Sequence, residues 1–242
     1  MKKRRRIRLF LEKIFPKEVL VFLFAIYGFL KPPKRSYSQK GEDLIVYSYF
    51  DKRKSGFYLD IGCYHPKWIS NTYLLHKKGW NGVALDIDQH KLDTFKFSRG
   101  KKVKVIQAAV IPNKTNKNTI EAYKFFSKRG WSDSDTIDPE LANKVKQKGR
   151  GKYIIEEVPC IDINSLLESI PKVDFLNIDI EGLDTKIVEA IDLDRFKIDL
   201  ILFEDNTNYG GLKELLHKLE IKGYVHLFTS GGSVCYAKNK SL

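Results

Sequence analysis

Carboxylates follow four short apolar runs in this chain of 242 residues, at the points where the runs end. The acidic residues are Asp60, Asp86, the pair Asp179 and Glu181, and Glu204. The carboxyl ends of parallel strands meet at one edge of a sheet, where α/β proteins bind their ligands. A carboxylate there can accept hydrogen bonds from hydroxyls or take up a proton as a general base. The pattern therefore predicts an active site at this edge.

The residues that follow Asp60 discriminate between two classes of cofactor. The run ends in the sequence DIGCYHP over residues 60–66. Gly62 lets the backbone approach a ligand closely, but Tyr64 and Lys67 stand where a G-x-G-x-x-G motif has its further glycines. A dinucleotide needs those glycines to bring backbone amides to its pyrophosphate. S-adenosylmethionine has no phosphate, so the sequence favours it over a nicotinamide dinucleotide.

Asp86 ends the second run, about twenty-six residues after Asp60. An acidic side chain at this position can accept hydrogen bonds from both hydroxyls of a ribose. Asp86 or Asp88 could instead cap the helix predicted over 89–98. Because Asp86 lies nearer the end of the strand, we predict that it is the ribose ligand.

Asp179 and Glu181 end the fourth run and are separated by one residue. Close acidic neighbours raise each other's pKa, which suits a general base that takes a proton from a hydroxyl. The pair could equally bind a divalent cation, or Asp179 could contact the cofactor while Glu181 caps the next helix. We predict the catalytic role and no metal. His65 is a third candidate base, although its imidazole could simply pack or bond to the backbone.

The order of elements predicts a Rossmann-like α/β sandwich, doubly wound, with a mostly parallel sheet and a C-terminal antiparallel hairpin. The compact apolar runs are typical of strands that helices cover on both faces. The predicted strands are 57–61, 83–87, 103–107, 175–179, 200–203, 224–228 and 234–237. The predicted helices are 40–50, 69–78, 89–98, 162–169, 184–192 and 210–222. Residues 112–159 interrupt this rhythm and are predicted to be an insertion over the site, part loop and part short helix.

The net charge of +13 is concentrated at the N-terminus. Residues 1–35 contain eleven Lys and Arg and two Glu, which gives +9, whereas the other 207 residues carry 32 basic and 28 acidic groups, which gives +4. A nucleic-acid-binding protein is expected to line its cleft with cations. The nearly balanced body argues against nucleic acid as a partner.

Residues 19–30 form an apolar run between basic flanks. A helix over 17–30 is about 21 Å long, short of the roughly 30 Å hydrocarbon core of a membrane. We expect residues 1–35 to lie on an anionic membrane surface as an amphipathic segment. The alternatives are a short membrane-spanning anchor, or a helix packed on the body or on a second subunit. Three scattered cysteines without a CxxC pair fit a reducing compartment, so we expect a cytoplasmic location at the inner face of a membrane.

Several motifs, in order and spacing, resemble the FkbM-type S-adenosylmethionine-dependent methyltransferases over nearly all of residues 36–242. They are YSQKGED (37–43), YLDIGCYHP (58–66), SNTY (70–73), GWNG (79–82), DFLNIDIEG (174–182) and GY (223–224). The sequence departs from the family in the loop after Gly62, where many members carry further small residues. Residues 36–242 are therefore expected to form a methyltransferase domain.

The resemblance implies a class I methyltransferase fold and action on hydroxyls of sugars or polyketide-like metabolites. It implies that S-adenosylmethionine is the cofactor and that the following residues bind it: Asp60, Gly62, Cys63, Asn71 and Asp86. It places Asp179 near the methyl-bearing end of the cofactor, with Glu181 and His65 close to the acceptor.

The leading hypothesis is an O-methyltransferase of a saccharide, a glycan or a related metabolite, held at a membrane surface by residues 1–35. Two alternatives remain open. The basic tail could recruit a nucleic-acid methyltransferase, or the chain could be a non-catalytic cofactor-binding scaffold at a membrane complex.

Overall fold

The computed structural model of the chain describes residues 19, 36–51, 53–125, 132–148, 152–205 and 212–239. The expectations for residues 1–35, the membrane-surface segment above all, lie outside the described residues apart from residue 19. Within the described residues, no helix combines the length and the apolar character that crossing a membrane requires.

Seven α-helices and ten β-strands are formed by the described residues. The helices are α1 Glu42–Tyr49, α2 Tyr73–Lys77, α3 Gln89–Arg99, α4 Pro139–Gln147, α5 Ile163–Glu168, α6 Asp184–Ala190 and α7 Leu212–Ile221. The strands are β1 Phe57–Ile61, β2 Asn81–Asp86, β3 Val103–Gln107, β4 Ala109–Ile111, β5 Thr119–Phe125, β6 Tyr153–Asp162, β7 Phe175–Ile178, β8 Leu200–Glu204, β9 Tyr224–Ser230 and β10 Ser233–Lys238.

Seven strands form the main sheet in the order β3-β2-β1-β7-β8-β10-β9. The first five are parallel, and β10 pairs antiparallel with both β8 and β9. β2 and β3 follow β1 towards one edge of the sheet, and β8 follows β7 towards the other edge. The strand order therefore reverses between β1 and β7. A ligand of a doubly wound sheet binds at such a reversal. The predicted fold class is confirmed.

Side chains of β1 alternate between two hydrophobic cores, which explains why its sequence is a continuous apolar run. Leu59 and Ile61 pack with residues of α5, α6 and α7 on one face of the sheet. Tyr58 packs with residues of α1, α2 and α3 on the other face, around the fully buried Trp80. Because the sheet is packed on both faces, the strand ends at its carboxyl edge are held in fixed positions around a site.

The region 112–159 differs from the prediction of a loop and a short helix, because it also contains two strands. β5 pairs antiparallel with β6, with Thr119 opposite Pro159 and Phe125 opposite Tyr153, and β4 joins the other side of β6. Most of β6 is exposed or half-buried and carries charged residues. Such strands lack the apolar run that marks a strand in the core, so the sequence pattern did not reveal them.

Candidate active site

A cavity of about 180 Å³ lies at the carboxyl edge of the main sheet. It is bounded by the ends of β1, β2, β7 and β8 and by residues 133–137, which precede α4. Seven of the eight site residues predicted from the sequence line it. They are Asp60, Gly62, Cys63, Asn71, Asp86, Asp179 and Glu181.

The loop after β1 is held against both neighbouring strands. The amides of Gly62 and Cys63 donate to the carbonyl of Leu85, at 2.9 and 3.1 Å. Gly62 has a φ of +80°, and a Cβ at this position would lie 1.8 Å from the carbonyl oxygen of Asp179. The glycine is therefore required by close packing of two backbone segments, a reason additional to the ligand approach expected from the sequence. Burial raises the pKa of the Cys63 thiol well above its ordinary value, so the thiol stays protonated.

Asp60 is buried, and each of its two carboxylate oxygens accepts a hydrogen bond from a neighbouring side chain. Its Oδ1 accepts a hydrogen bond from Asn177 at 2.8 Å and its Oδ2 accepts one from Thr72 at 2.5 Å. Asn71 in turn donates to Oδ1 of Asn177 at 2.9 Å. Burial raises the pKa of Asp60, and the nearby Arg99 opposes that rise. Asp60 thus orients Asn177 and, through it, Asn71 at the cavity wall.

Arg99 is a buried cation that the sequence reasoning missed. Its guanidinium donates to the carbonyl of Pro66 at 2.6 and 3.0 Å and to the hydroxyl of Thr72 at 2.8 Å. These bonds tie the end of α3 to the loop that follows β1. The only signal in the sequence was an arginine at the end of a helix, where the residue is usually exposed.

Asp86 and Asp88 take separate roles. Asp88 is the N-cap of α3, because its Oδ1 accepts from the amide of His90 at 3.0 Å. Asp86 lines the cavity, and its two oxygens accept from the amides of Asp88 and Tyr64 at 2.9 and 3.3 Å. Oδ1 also contacts the Nζ atom of Lys91 at 3.3 Å, whereas Oδ2, which accepts from Tyr64, has a second lone pair. Asp86 therefore keeps the capacity to accept hydrogen bonds from a ligand.

Three carboxylates converge at the other end of the cavity. Asp179, Glu181 and Glu204 each place one oxygen within 4.8 Å of the other two, a spacing that a metal ion could bridge. Burial, with the neighbouring Asp184, Glu181 and Glu204 charges, raises the pKa of Asp179 well above its ordinary value. Burial, then Glu204 and Asp184, raises the pKa of Glu181 to about 8. The absence of a metal stays a prediction.

Glu181 is not a helix cap. The N-cap position of α6 is Leu183, which provides no side-chain hydrogen bond, and Asp184 accepts from the amides of Ile180 and Gly182 at 3.0 and 3.2 Å. The carboxyl of Glu181 is thereby left to the cavity, on a backbone with a φ of +56°. The side chain that organises this turn is Asp184, whose role the sequence reasoning did not identify.

His65 is the one predicted site residue that the structure does not bring to the cavity wall. It is fully buried, and its Nδ1 accepts from the amides of Lys67 and Trp68 at 3.1 and 2.8 Å. Burial, with the cations Arg99 and Lys67, lowers its pKa to about 3. The neutral imidazole shapes the loop after β1, which matches the alternative raised from the sequence.

Comparison with known proteins gives one family match. The model of the FkbM methyltransferase domain matches residues 60–225. No curated protein matches the chain.

Several solved structures are similar to the chain at low identity. Podospora anserina methyltransferase PaMTH1, bound to S-adenosylhomocysteine, is 12% identical, with 99% of this chain and 96% of that chain covered and a TM-score of 0.43. The precorrin-6y C5,15-methyltransferase of Geobacter metallireducens is 14% identical, with 86% and 94% covered and a TM-score of 0.40. A TehB-like S-adenosylmethionine-dependent methyltransferase of Corynebacterium glutamicum is 12% identical, with 83% and 88% covered and a TM-score of 0.38.

Proposed function

Because the chain belongs to the FkbM methyltransferase family, we propose that it transfers a methyl group from S-adenosylmethionine to a hydroxyl of a saccharide, a glycan or a related metabolite. That it is an S-adenosylmethionine-dependent methyltransferase follows from the family. The hydroxyl acceptor rests on one observation, the carboxyl of Glu181 with a pKa raised to about 8 at the wall of the cavity. A base of this strength is suited to remove a proton from a hydroxyl near neutral pH.

The donor set of the cavity fits the cofactor. Asp86 offers carboxylate oxygens for a ribose, and Ile87 with residues 108–110 forms an apolar wall suited to an adenine ring. Asn71 and Asn177 offer amides to a charged amino-acid group, and Asp179 offers a carboxyl group to the methyl-bearing end of the cofactor. We assign Asp60, Gly62 and Cys63 to shaping the same wall through the contacts of the loop after β1. When bound, the cofactor supplies an electrophilic methyl group.

The residues of the chain then have distinct tasks in the transfer. Displacement at a methyl carbon requires the acceptor oxygen to be aligned with the breaking bond, and rigid strand ends provide that alignment. Glu181 takes the proton from the acceptor hydroxyl. Asp179 lies beside it, and burial together with Glu204 and Asp184 raises the affinity of Glu181 for that proton. His65 is not part of this proposal, since it does not line the cavity.

The acidic edge of the cavity also bears on the choice of acceptor. Asp133, Asp179, Glu181 and Glu204 all line it, and such a concentration of acidic groups, without a row of cations among the described residues that line the cavity, does not suit the phosphates of a nucleic acid. A neutral, hydroxyl-rich acceptor fits this edge. We place the enzyme at an anionic membrane surface through residues 1–35, on the support of their net charge of +9.

The acceptor class is tested by incubating the full chain with radiolabelled S-adenosylmethionine and with separated lipid, glycan and nucleic-acid fractions. We expect label in the glycan or glycolipid fraction, in a linkage that mass spectrometry identifies as an O-methyl ether. Glu181→Gln should lower this transfer at least ~100-fold, whereas the control Glu189→Gln, on the exposed face of α6, should leave it unchanged. Label in nucleic acid, or methyl on nitrogen, would refute the proposal.

The membrane assignment needs a separate experiment. Vesicles with and without anionic lipid are sedimented with the full chain and with a chain that lacks residues 1–35. Binding that requires both anionic lipid and residues 1–35 is expected. Equal sedimentation of the two chains would refute the assignment.

A further inference from the structure

A lysine lies buried between two carboxylates at the cofactor end of the cavity. The Nζ atom of Lys91 is 3.3 Å from Oδ1 of Asp86 and 2.9 Å from Oδ2 of Asp135. The exposed fractions of the three side chains are only 5%, 5% and 3%. All three residues line the cavity. We call Asp86, Lys91 and Asp135 the ion triad.

The triad joins elements that are distant in sequence. Lys91 is in the first turn of α3, and Asp86 ends β2. Asp135 lies in the segment 132–138, which leads into α4 and covers the cavity. Asp135 also accepts from the amide of Phe125 at 2.8 Å through its second oxygen, so it is held from both sides.

The same segment is attached to the catalytic end of the cavity. The hydroxyl of Thr136 donates to the carbonyl of Glu181 at 2.8 Å, and Thr136 forms a β-bridge with Tyr123. The segment therefore spans from the triad to the proposed base. A change at the ion triad would therefore affect the whole of segment 132–138.

The charges of the triad depend on one another. A buried ammonium is costly unless carboxylates surround it, and a buried carboxylate needs a cation in turn. Burial lowers the pKa of Lys91, but Asp135, Asp86 and Asp88 together raise it well above its ordinary value. Burial raises the pKa of Asp135 to about 6, with Lys91 opposing the rise. At neutral pH the ammonium therefore separates two carboxylates that would otherwise repel.

We propose that Lys91 is a positioning residue that fixes the Asp86 carboxylate for the ribose hydroxyls and, through Asp135, fastens segment 132–138 over the bound cofactor. The inference rests on the proposed function in one respect, the assignment of Asp86 to the ribose. Without Lys91, the Asp86 carboxylate loses the cation that holds Oδ1 in place, and Asp135 no longer ties segment 132–138 to the end of β2. Recognition of the ribose is then lost even though Asp86 is still present.

The ribose contribution can be measured without any acceptor. Isothermal titration of the full chain with S-adenosylhomocysteine and with its 3′-deoxy analogue gives two Kd values, and their ratio reports how well the hydroxyl is bound. We expect a ratio of about 10 or more for the wild type, the value of one charge-assisted hydrogen bond. Lys91→Met should bring the ratio below about 2, and Lys91→Arg should restore most of it.

Two further variants separate positioning from a general loss of structure. Asp135→Asn leaves the pair of Lys91 and Asp86 in place, so both Kd values should rise by a similar factor while the ratio is kept. Lys96→Met, on the exposed part of the same helix, should change neither value. Should Lys91→Met fail to fold, Lys91→Gln with Lys91→Arg replaces it in the comparison.

A wild-type ratio near 1 would overturn the proposal, and so would a ratio in Lys91→Met equal to that of the wild type. Weaker binding of both ligands by Lys91→Met with an unchanged ratio would mean that Lys91 is only structural, which also overturns it. Failure to methylate hydroxyls would instead remove the proposed function. The two failures are distinct, because the titration contains no acceptor.

Discussion

Replacing Glu181 by glutamine should stabilise the protein at alkaline pH. The pKa of Glu181 is raised from 4.5 to about 8 in the folded protein. Between these two values the folded chain retains a proton that the unfolded chain has released. Stability therefore falls as pH rises through this window, by about 1.4 kcal/mol for each pH unit. The glutamine side chain has the shape of the protonated carboxyl and releases no proton, so this loss is absent in the variant.

The magnitude follows from the width of the window. Relative to the variant, the wild type should lose on the order of 4–5 kcal/mol of unfolding free energy between pH 4.5 and pH 8 or above. Near pH 4.5 the two proteins should be nearly equally stable. Asp179 adds to the effect in the same direction, because the charge of Glu181 also raises the pKa of Asp179.

Urea unfolding at pH 5, 6, 7, 8 and 9 provides the measurement, with the free energy taken by linear extrapolation. The difference between Glu181→Gln and the wild type should grow with pH and level off above pH 8. Glu189→Gln is the matched control, since Glu189 is exposed on the following helix, and its difference should be flat. Parallel curves for Glu181→Gln and the wild type across this range would refute the reasoning about burial and neighbouring charge.

Four other outcomes are expected. The kcat/KM for methyl transfer should rise about tenfold per pH unit up to about pH 8 and then level off, because Glu181 must lose its proton to act as the base; a profile flat from pH 6 to 9 would contradict this. Asp86→Asn should raise the Kd for S-adenosylmethionine at least about tenfold, and an unchanged calorimetric Kd would exclude Asp86 as the ribose ligand. Gly62→Ala should lower the unfolding free energy by about 2–5 kcal/mol, since the new Cβ meets the Asp179 carbonyl; a stable variant would show that the two segments can separate. Arg99→Met should cost about 3–5 kcal/mol in the same assay by removing the buried hydrogen bonds of the guanidinium to Pro66 and Thr72, and a loss below about 1 kcal/mol would contradict a structural role for these bonds.

Much of the fold could be predicted because parallel strands that are buried on both faces appear in the sequence as short continuous apolar runs. The predicted bounds of the strands over 57–61 and 103–107 coincide with those of β1 and β3, and most other elements differ by a few residues at their ends. β5 and β6 were missed because they form a half-exposed sheet with charged side chains. Their stability comes from pairing with each other, and a single segment does not reveal its partner.

The site residues also divide into those that a local sequence pattern indicates and those that depend on a distant partner. The sequence by itself determined which carboxylates stand at strand ends, and from that the positions of Asp86, Asp179 and Glu181 on one cavity. Only the tertiary structure decided that Lys91 is buried between carboxylates and that His65 points its acceptor nitrogen at the backbone. Strand ends follow from local periodicity, whereas burial of a charge depends on partners that are distant in sequence, as Asp135 is from Lys91.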